Sequence, residues 1–427
     1  MSPEKDSADP GATKPKRGLA RVYDSLSDAN FRWYLVAMVA SFGAMNVQLF
    51  IRGWLVFQLT HSFEALGVVH LANGVAGVAA SLMGGVLADR VRQKVLIVQI
   101  AQGLNAANAL AVTALLATGR LELWHLIFAS VVQGAVQHTM LPARQALIAE
   151  TVGLARLTNA VALNAATMNS ARVLMPGLAG WAVAALGGEQ NIAAAAWVYL
   201  SIAVLYLSAV GLMLPMRLPD RKVASAVGTS PLGHLLDGLR YTRERQEIRL
   251  LLIVHLFMAW LAMTYFMLLP GFAEVVLDTR AGGLGLLTSL VGIGSVVGGL
   301  IVAALPQRNR GRVLLWSSLA LGLALTAFSA STSFVVSAFI LIAVGVLQAP
   351  RMSLIVALIQ SRVEDDYRGR ILSLYMMEFA IMGFGIYLMG LLAQAVGPQL
   401  AVGSSAVGLV LLSAGLLLFS PRLRRLD

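Results

Sequence analysis

The apolar positions of the chain fall into twelve long runs separated by short polar breaks. The runs cover residues 32–59, 65–87, 95–118, 122–142, 158–186 and 192–214, then 248–272, 283–305, 312–330, 333–359, 371–396 and 400–420. Most reach the roughly twenty residues that carry a helix across bilayer hydrocarbon. A helix satisfies its own backbone groups there, so each run predicts a membrane-spanning helix. One break is different. Residues 215–247 are polar over a long stretch and carry Arg217, Arg221, Lys222, Arg240, Arg243 and Arg245. They predict a linker between two sets of six spans.

Composition supports lipid as the solvent. Hydrophobic residues make up 58% of the 427 positions and charged residues 12%, against about 25% charged in a soluble domain. The net charge of +11 does not indicate nucleic acid as a partner. The basic residues fall in short clusters between apolar runs, as suits lipid headgroups, and no basic and aromatic surface recurs on one soluble element. With no cysteine, disulfides, thiolate catalysis and Cys-based zinc sites are excluded.

Charge also orients the spans. Counting residues at the span ends and Arg351, beside Pro350, with the loops, one face carries 28 Lys/Arg, while the other has only Arg120 and Arg280; Arg52 and Arg172 lie inside spans. Such asymmetry predicts that both termini are cytoplasmic. The expected layout is a cytoplasmic tail over 1–31, bundles over 32–214 and 248–420, the linker over 215–247 and a cytoplasmic tail over 421–427. Met1 to Leu19 reads as disordered, and Ala20 to Asn30 as a short amphipathic surface helix. The first apolar run is too long, and too far from the start, for a cleavable signal peptide.

A weak internal repeat supports two halves. Pro142-Ala143-Arg144 leaves the fourth span much as Pro350-Arg351 interrupts the tenth. Gly180 and Gly187 precede Gly390 and Gly397 by 210 positions. Duplicated halves with a midplane site between them are a transporter architecture. Gly294-x-x-x-Gly298 predicts close helix packing.

The loop after the second span reads Gly85-Val86-Leu87-Ala88-Asp89-Arg90-Val91-Arg92-Gln93-Lys94. It resembles the loop signature of the major facilitator superfamily, Gly-x-Leu-Ala-Asp-Arg-x-Gly-Arg-Lys. Arg92 and Gln93 depart from it. Further segments, among them Arg52-Gly53-Trp54, Pro142-Ala143-Arg144-Gln145, Leu157-Thr158-Asn159-Ala160, Leu269-Pro270-Gly271-Phe272-Ala273 and Arg368-Gly369-Arg370, are similar to the branch containing the enterobactin exporter and macrolide efflux proteins. The resemblance runs from about residue 28 to residue 425. It implies an all-α integral membrane fold of twelve transmembrane helices in two six-helix bundles. It also implies a conformational-switch role for Gly85, Asp89, Arg90 and Lys94, which tie the halves together on the cytoplasmic side in one state. Two departures stand out. Ser130 occupies the position where proton-coupled antiporters often carry Arg before Gln133-Gly134. The fifth span has Met175-Pro176-Gly177-Leu178-Ala179-Gly180 in place of Gly-Pro-x-x-Gly-Gly.

Ionisable groups inside spans are costly and mark function or structural pairing. Glu378 is the one carboxylate well inside a span by these bounds, and is the candidate for proton coupling or for a cationic substrate; its alternative role is to neutralise a buried Arg. Arg172, on a face with Asn169, is a candidate for an anionic substrate group or for pairing with Glu378. Arg52 shares a face with Ser41, Met45 and Gln48 and is open to a second reading, snorkelling beside Trp54. Gln48, Arg52, Gln133, Gln137, Asn169, Arg172, His255, Tyr265, Gln348 and Tyr375 are the candidate cavity residues. His70, His138 and His255 are equally explained as packing residues.

No Walker loop, Rossmann fingerprint or His-Glu-x-x-His motif stands out, so neither a cofactor, a metal nor an enzyme activity is expected. The expected protein is a monomeric secondary transporter in a bacterial inner membrane. It exports a small amphiphilic compound, drug-like or siderophore-like, by proton antiport. Uptake or facilitated diffusion is the alternative, and a non-transporting sensor or scaffold is the rival from another class.

Overall fold

The computed structural model describes residues 24–90, 93–153, 156–187, 192–216, 218, 231–305, 308–424 and 426. Among them, twelve long helices follow the apolar runs. They are α1 (Ala29–Thr60), α2 (Phe63–Arg90), α3 (Lys94–Ala117), α4 (Leu123–Val152), α5 (Leu157–Ala185), α6 (Ala195–Met213), α7 (Gln246–Val275), α8 (Ala281–Ala304), α9 (Arg310–Ala330), α10 (Phe334–Arg362), α11 (Asp365–Val396) and α12 (Pro398–Phe419). Local chemistry sets several ends. The Asp28 carboxylate accepts from Asn30 N at 2.8 Å and Phe31 N at 3.2 Å, capping α1. Gly397, at φ +90°, makes the turn that lets Pro398 open α12.

Nine of these helices contain a described stretch long and apolar enough to cross a membrane. The exceptions are instructive. α4 and α5 are diluted by Gln133, Gln137, His138, Asn164, Asn169 and Arg172, the polar groups expected of helices that line an interior. In α11 the described apolar part is Met382–Val396.

Three expectations need correction. The fourth span does not stop at Pro142. α4 continues to Val152, because a proline removes one helical hydrogen bond without forbidding the turns that follow when neighbouring helices support them. Arg144 and Arg351 are therefore not loop residues: both are buried in helices. The loop tally on the basic face falls from 28 to 26 and keeps its asymmetry. The described part of 20–30 forms no surface helix. Asp24–Ser27 is a single 3₁₀ turn, held by Ser25 Oγ donating to Asn159 Oδ1 at 2.6 Å. Residues 1–23, with most of the expected tail, lie outside the described residues.

The packing is two-fold in plan. In the first bundle α2 packs on α4 and α3 on α6; in the second α8 packs on α10 and α9 on α12. The bundles meet along two seams, α2 against α11 and α5 against α8, which are the same pair of elements exchanged between halves. Between the bundles the linker forms an amphipathic helix, Pro231–Glu244. It is strapped to the start of α11 by Arg370–Asp237 at 3.6 Å and by stacking of Tyr241 on Tyr367 at 4.2 Å.

Twelve alternating helices bring both chain ends to one side, the terminal face. The other side is the far face. The hydrophobic core treats the two faces differently. One cluster runs continuously from the first bundle to the second at the far end, through Phe57, Phe63, Leu269 and Phe272. The terminal half of the first bundle has a separate core of Phe31, Tyr34, Phe42, Met140 and Leu147. There α5 exposes Val161, Ala162, Ala166, Asn169 and Ser170.

Candidate functional site

A cleft lies between the bundles beside the α5·α8 seam. It holds about 670 Å³ of empty space, its open mouth included. α1 supplies Asn46, Phe50 and Gly53, α2 supplies His70, α5 supplies Arg172 and Pro176, α7 supplies Phe266 and Met267, and α8 supplies Thr288 and Ser295. Arg172 is exposed to this space. A guanidinium near the middle of a spanning helix cannot face hydrocarbon cheaply, so the cleft is its solvent.

Behind the α1 wall sits a closed polar network. The Arg52 guanidinium donates to Gln133 Oε1, and Gln133 Nε2 donates to Gln48 Oε1 at 2.7 Å. Tyr206 Oη donates to the same Gln48 oxygen at 2.9 Å. Arg52 is 4% exposed, so it does not snorkel. The i, i+4 spacing that puts Gln48 and Arg52 on one face of α1 is what lets both reach α4. Gln137, one turn further along α4, reaches Met45 Sδ at 3.6 Å.

The second bundle holds its own cluster. His255 stacks on Tyr375 with ring centroids 4.8 Å apart. Arg351, 1% exposed, lies within electrostatic reach of His255 and Tyr265. Gln348, one turn before Arg351, donates to Met263 Sδ at 3.2 Å. The structure thus brings Gln48, Arg52 and Gln133 together in one bundle, and His255, Tyr265 and Tyr375 near Arg351 in the other. Arg172 stands apart on the cleft wall, and Asn169 is exposed one turn before it. His70 lines the cleft, whereas His138 bonds Gly134 O at 2.9 Å and packs over Gly77. The side chains of Gly85, Asp89, Arg90 and Glu378 lie outside the described residues. Lys94 pairs with Glu150 at 2.6 Å, joining α3 to α4.

Arg144, Arg351 and Tyr206 were missed in sequence. Arg144 stacks over Phe42 with its guanidinium 4.9 Å from the ring centre. Both arginines follow a proline that looks like a helix end, which hid them among loop charges. Their matching place after Pro142 and Pro350 in the two halves was the signal available.

The far face is latched. Gln58 on α1 donates to Glu274 on α7, and His61 Nδ1 lies 3.5 Å from the same carboxylate. Gln394 on α11 accepts from Phe63 N at 3.0 Å. Glycines let the seams close. A Cβ at Gly180 would sit 2.4 Å from Ala281 O, and one at Gly390 would sit 2.6 Å from Phe63 O.

The comparisons with known proteins agree with this architecture. The family described as transmembrane secretion effector matches residues 21–427. The multidrug efflux pump Tap of Mycolicibacterium fortuitum is 26% identical over 88% of this chain and 91% of its own length. The enterobactin exporter EntS of Shigella flexneri is 27% identical over 91% of this chain and 90% of its own. The staphyloferrin A transporter of Staphylococcus aureus (strain NCTC 8325 / PS 47) is 24% identical over 81% and 84%. Among solved structures, the nucleoside transporter NupG superposes with a TM-score of 0.72 at 13% identity, covering 91% of this chain and 98% of that one. Full-length coverage at this depth leaves one conclusion: the chain belongs to the transmembrane secretion effector family of major facilitator transporters.

Proposed function

We propose that the chain is a secondary active exporter of a small amphiphilic compound, working by alternating access with proton antiport. The observation that carries this reading is the cleft between two bundles whose described core is continuous only at the far end. Such a site can be offered to one face at a time as the bundles rock. The terminal face, with its basic loops, is cytoplasmic in a bacterial inner membrane. Residues 32–214 and 248–420 move as the two bundles and 215–247 links them. The names of the efflux pump Tap and the enterobactin exporter favour outward movement.

Roles follow from position. Arg172, Asn169 and the cleft wall contact cargo. The Gln48–Arg52–Gln133 network and the His255, Tyr265, Gln348 and Tyr375 cluster shape the two sides of the pathway. Gly85, Asp89, Arg90 and Lys94 work the switch at the cytoplasmic face. Glu378 carries the proton, being a carboxylate within a spanning helix, where an ionisable group is costly unless it serves function or pairing.

The test is flux of a screened substrate in proteoliposomes with an imposed pH gradient. Gradient-driven flux is expected, and Glu378→Gln should abolish its dependence on the gradient while leaving substrate binding. An unchanged pH response in Glu378→Gln removes that residue from the coupling, and no response in the parent protein removes proton antiport.

A further inference from the structure

We infer that the cleft beside the α5·α8 seam selects an amphiphilic organic anion, with Arg172 as the group that holds its charge. This takes the cleft to be the cargo site of the transport cycle proposed above.

Three observations converge. The first is the state of Arg172. Among the described residues the structure shows no hydrogen bond and no carboxylate partner for its guanidinium, which is exposed in the cleft. Arg stays charged in any protein environment. Its planar fork is shaped to meet a carboxylate, sulfonate or phosphate oxygen pair. The second is the wall. Leu49, Phe50, Phe266, Met267, Leu269 and Val291 form an apolar surface drawn from both bundles. A bare inorganic anion would leave that surface wet, whereas an aromatic or aliphatic body fills it.

The third is the sign of the surrounding field. Among the described residues, no Asp or Glu lines the cleft. Arg52 lies just behind it, next to the lining residue Gly53, and its charge is felt at His70 on the cleft wall. Among the described residues, Arg52 and Arg144 also have no carboxylate within 4.0 Å. Fixed positive charge in a low-dielectric wall raises the local concentration of anions and repels cations of the same shape. The neutral groups Asn46, Thr288 and Ser295 can bond further polar atoms without altering that sign. An amphiphile seated here touches α1 and α5 on one side and α7 and α8 on the other, so it contacts both moving parts.

The chemistry is shared by free solutes and by anionic lipids, and the experiment separates them. Equilibrium binding to the full-length protein in nanodiscs is measured with two radiolabelled probes, 2-naphthoate and 2-naphthylmethylammonium, of one shape and opposite charge. Naphthoate should bind saturably and at least ~10-fold more tightly than the ammonium probe. Arg172→Gln should weaken naphthoate binding ~10- to 100-fold, the range for a hydrogen bond to a charged group. Arg172→Lys should keep the preference for the anion and weaken binding less than Arg172→Gln, because the charge stays and only the fork is lost. Thermal unfolding of each variant, followed by tryptophan fluorescence, confirms that the fold is intact.

Discs of phosphatidylcholine alone are compared with discs containing phosphatidylglycerol. Competition in the second case names the lipid as the occupant; equal binding names a free solute. Equal affinity for the two probes, or naphthoate binding indifferent to Arg172→Gln in a folded protein, overturns the inference. Because binding is read without any gradient, a protein that binds naphthoate through Arg172 but moves no solute would sink the transport reading and leave this site standing.

Discussion

The packing inside each bundle and the packing between bundles use the same device for opposite ends. Within the second bundle, α8 meets α10 through Gly294, Gly298 and Gly345. A Cβ on Gly294 or Gly298 would come within 2.2 Å of a carbonyl oxygen on α10. Between the bundles, α5 meets α8 through Gly177, Gly180, Gly285 and Gly292, and α2 meets α11 through Gly67, Gly383 and Gly390, where a Cβ would come to 2.4–3.0 Å of its nearest neighbour atom. Small residues allow backbones to approach where lipid supplies no hydrophobic drive to associate. The two kinds of contact differ in surroundings. The α8·α10 contact lies inside one unit. The seams join the two bundles, the parts that separate in the proposed rocking cycle, and the α5·α8 seam borders the cleft. Close glycine contact acts as a weld in the first place and as a latch in the second. Geometry alone does not distinguish them; position in the topology does.

The largest expected effect tests the weld. Gly298→Leu drives a branched side chain into the Val346 carbonyl of α10, and nothing in the transport cycle relieves that clash. The cost should reach at least about 3 kcal/mol, a large share of the stability of most domains. Folded protein recovered from membranes should fall several-fold, measured by size-exclusion chromatography of a fluorescent fusion. A well-folded Gly298→Leu protein with impaired transport would mean that α8 and α10 also move apart, and the distinction between weld and latch would fail.

Gly180→Leu tests the latch. The same clash, against Ala281 and Gly285 of α8, now falls on one conformation. A bias of about 2 kcal/mol moves the closed-to-open ratio at the far face about 30-fold while the fold persists. The chain has no cysteine, so a single introduced thiol reports cleanly. Ser289→Cys, which faces Gly177 across the seam, should react with a membrane-impermeant maleimide much faster in the Gly180→Leu background. Unchanged labelling would show that the α5·α8 seam does not open.

The sequence made some of this contrast legible. Apolar runs fixed the helices to within a few residues wherever a polar turn ended them, as at His61 and Ser62 or Gly397. The α4 boundary failed because Pro142 imitates a helix end, and Arg144 and Arg351 were misplaced with it. The 210-residue repeat from Gly180 to Gly390 was visible, but not that these glycines face α8 and α2. That pairing is set by how two bundles dock, which no local period encodes. The same holds for the site. The face shared by Gln48 and Arg52 could be read from spacing, whereas Tyr206 entered the network only through packing of α6 on α1. Arg172 could be singled out as an intramembrane charge, but its lack of a described partner belongs to the fold.

The smallest effect concerns the polar part of the far-face latch. Gln58 on α1 and His61 just past its end both address Glu274 on α7, in a partly exposed setting where His61 is 67% and Glu274 32% open to solvent. Water competes for such contacts, and exposed pairs contribute about 0.2–1 kcal/mol. Gln58→Ala should therefore raise far-face labelling of Ser289→Cys only about 2- to 5-fold, well below the effect of Gly180→Leu. Glu274→Gln should do about the same, and the double variant should add little, because either substitution alone removes the shared contact. Strict additivity would mean that the two residues act through separate partners. An effect as large as that of Gly180→Leu would move the latch from backbone packing to side-chain polarity, and the glycines of the seam would then be needed for approach but not for closure.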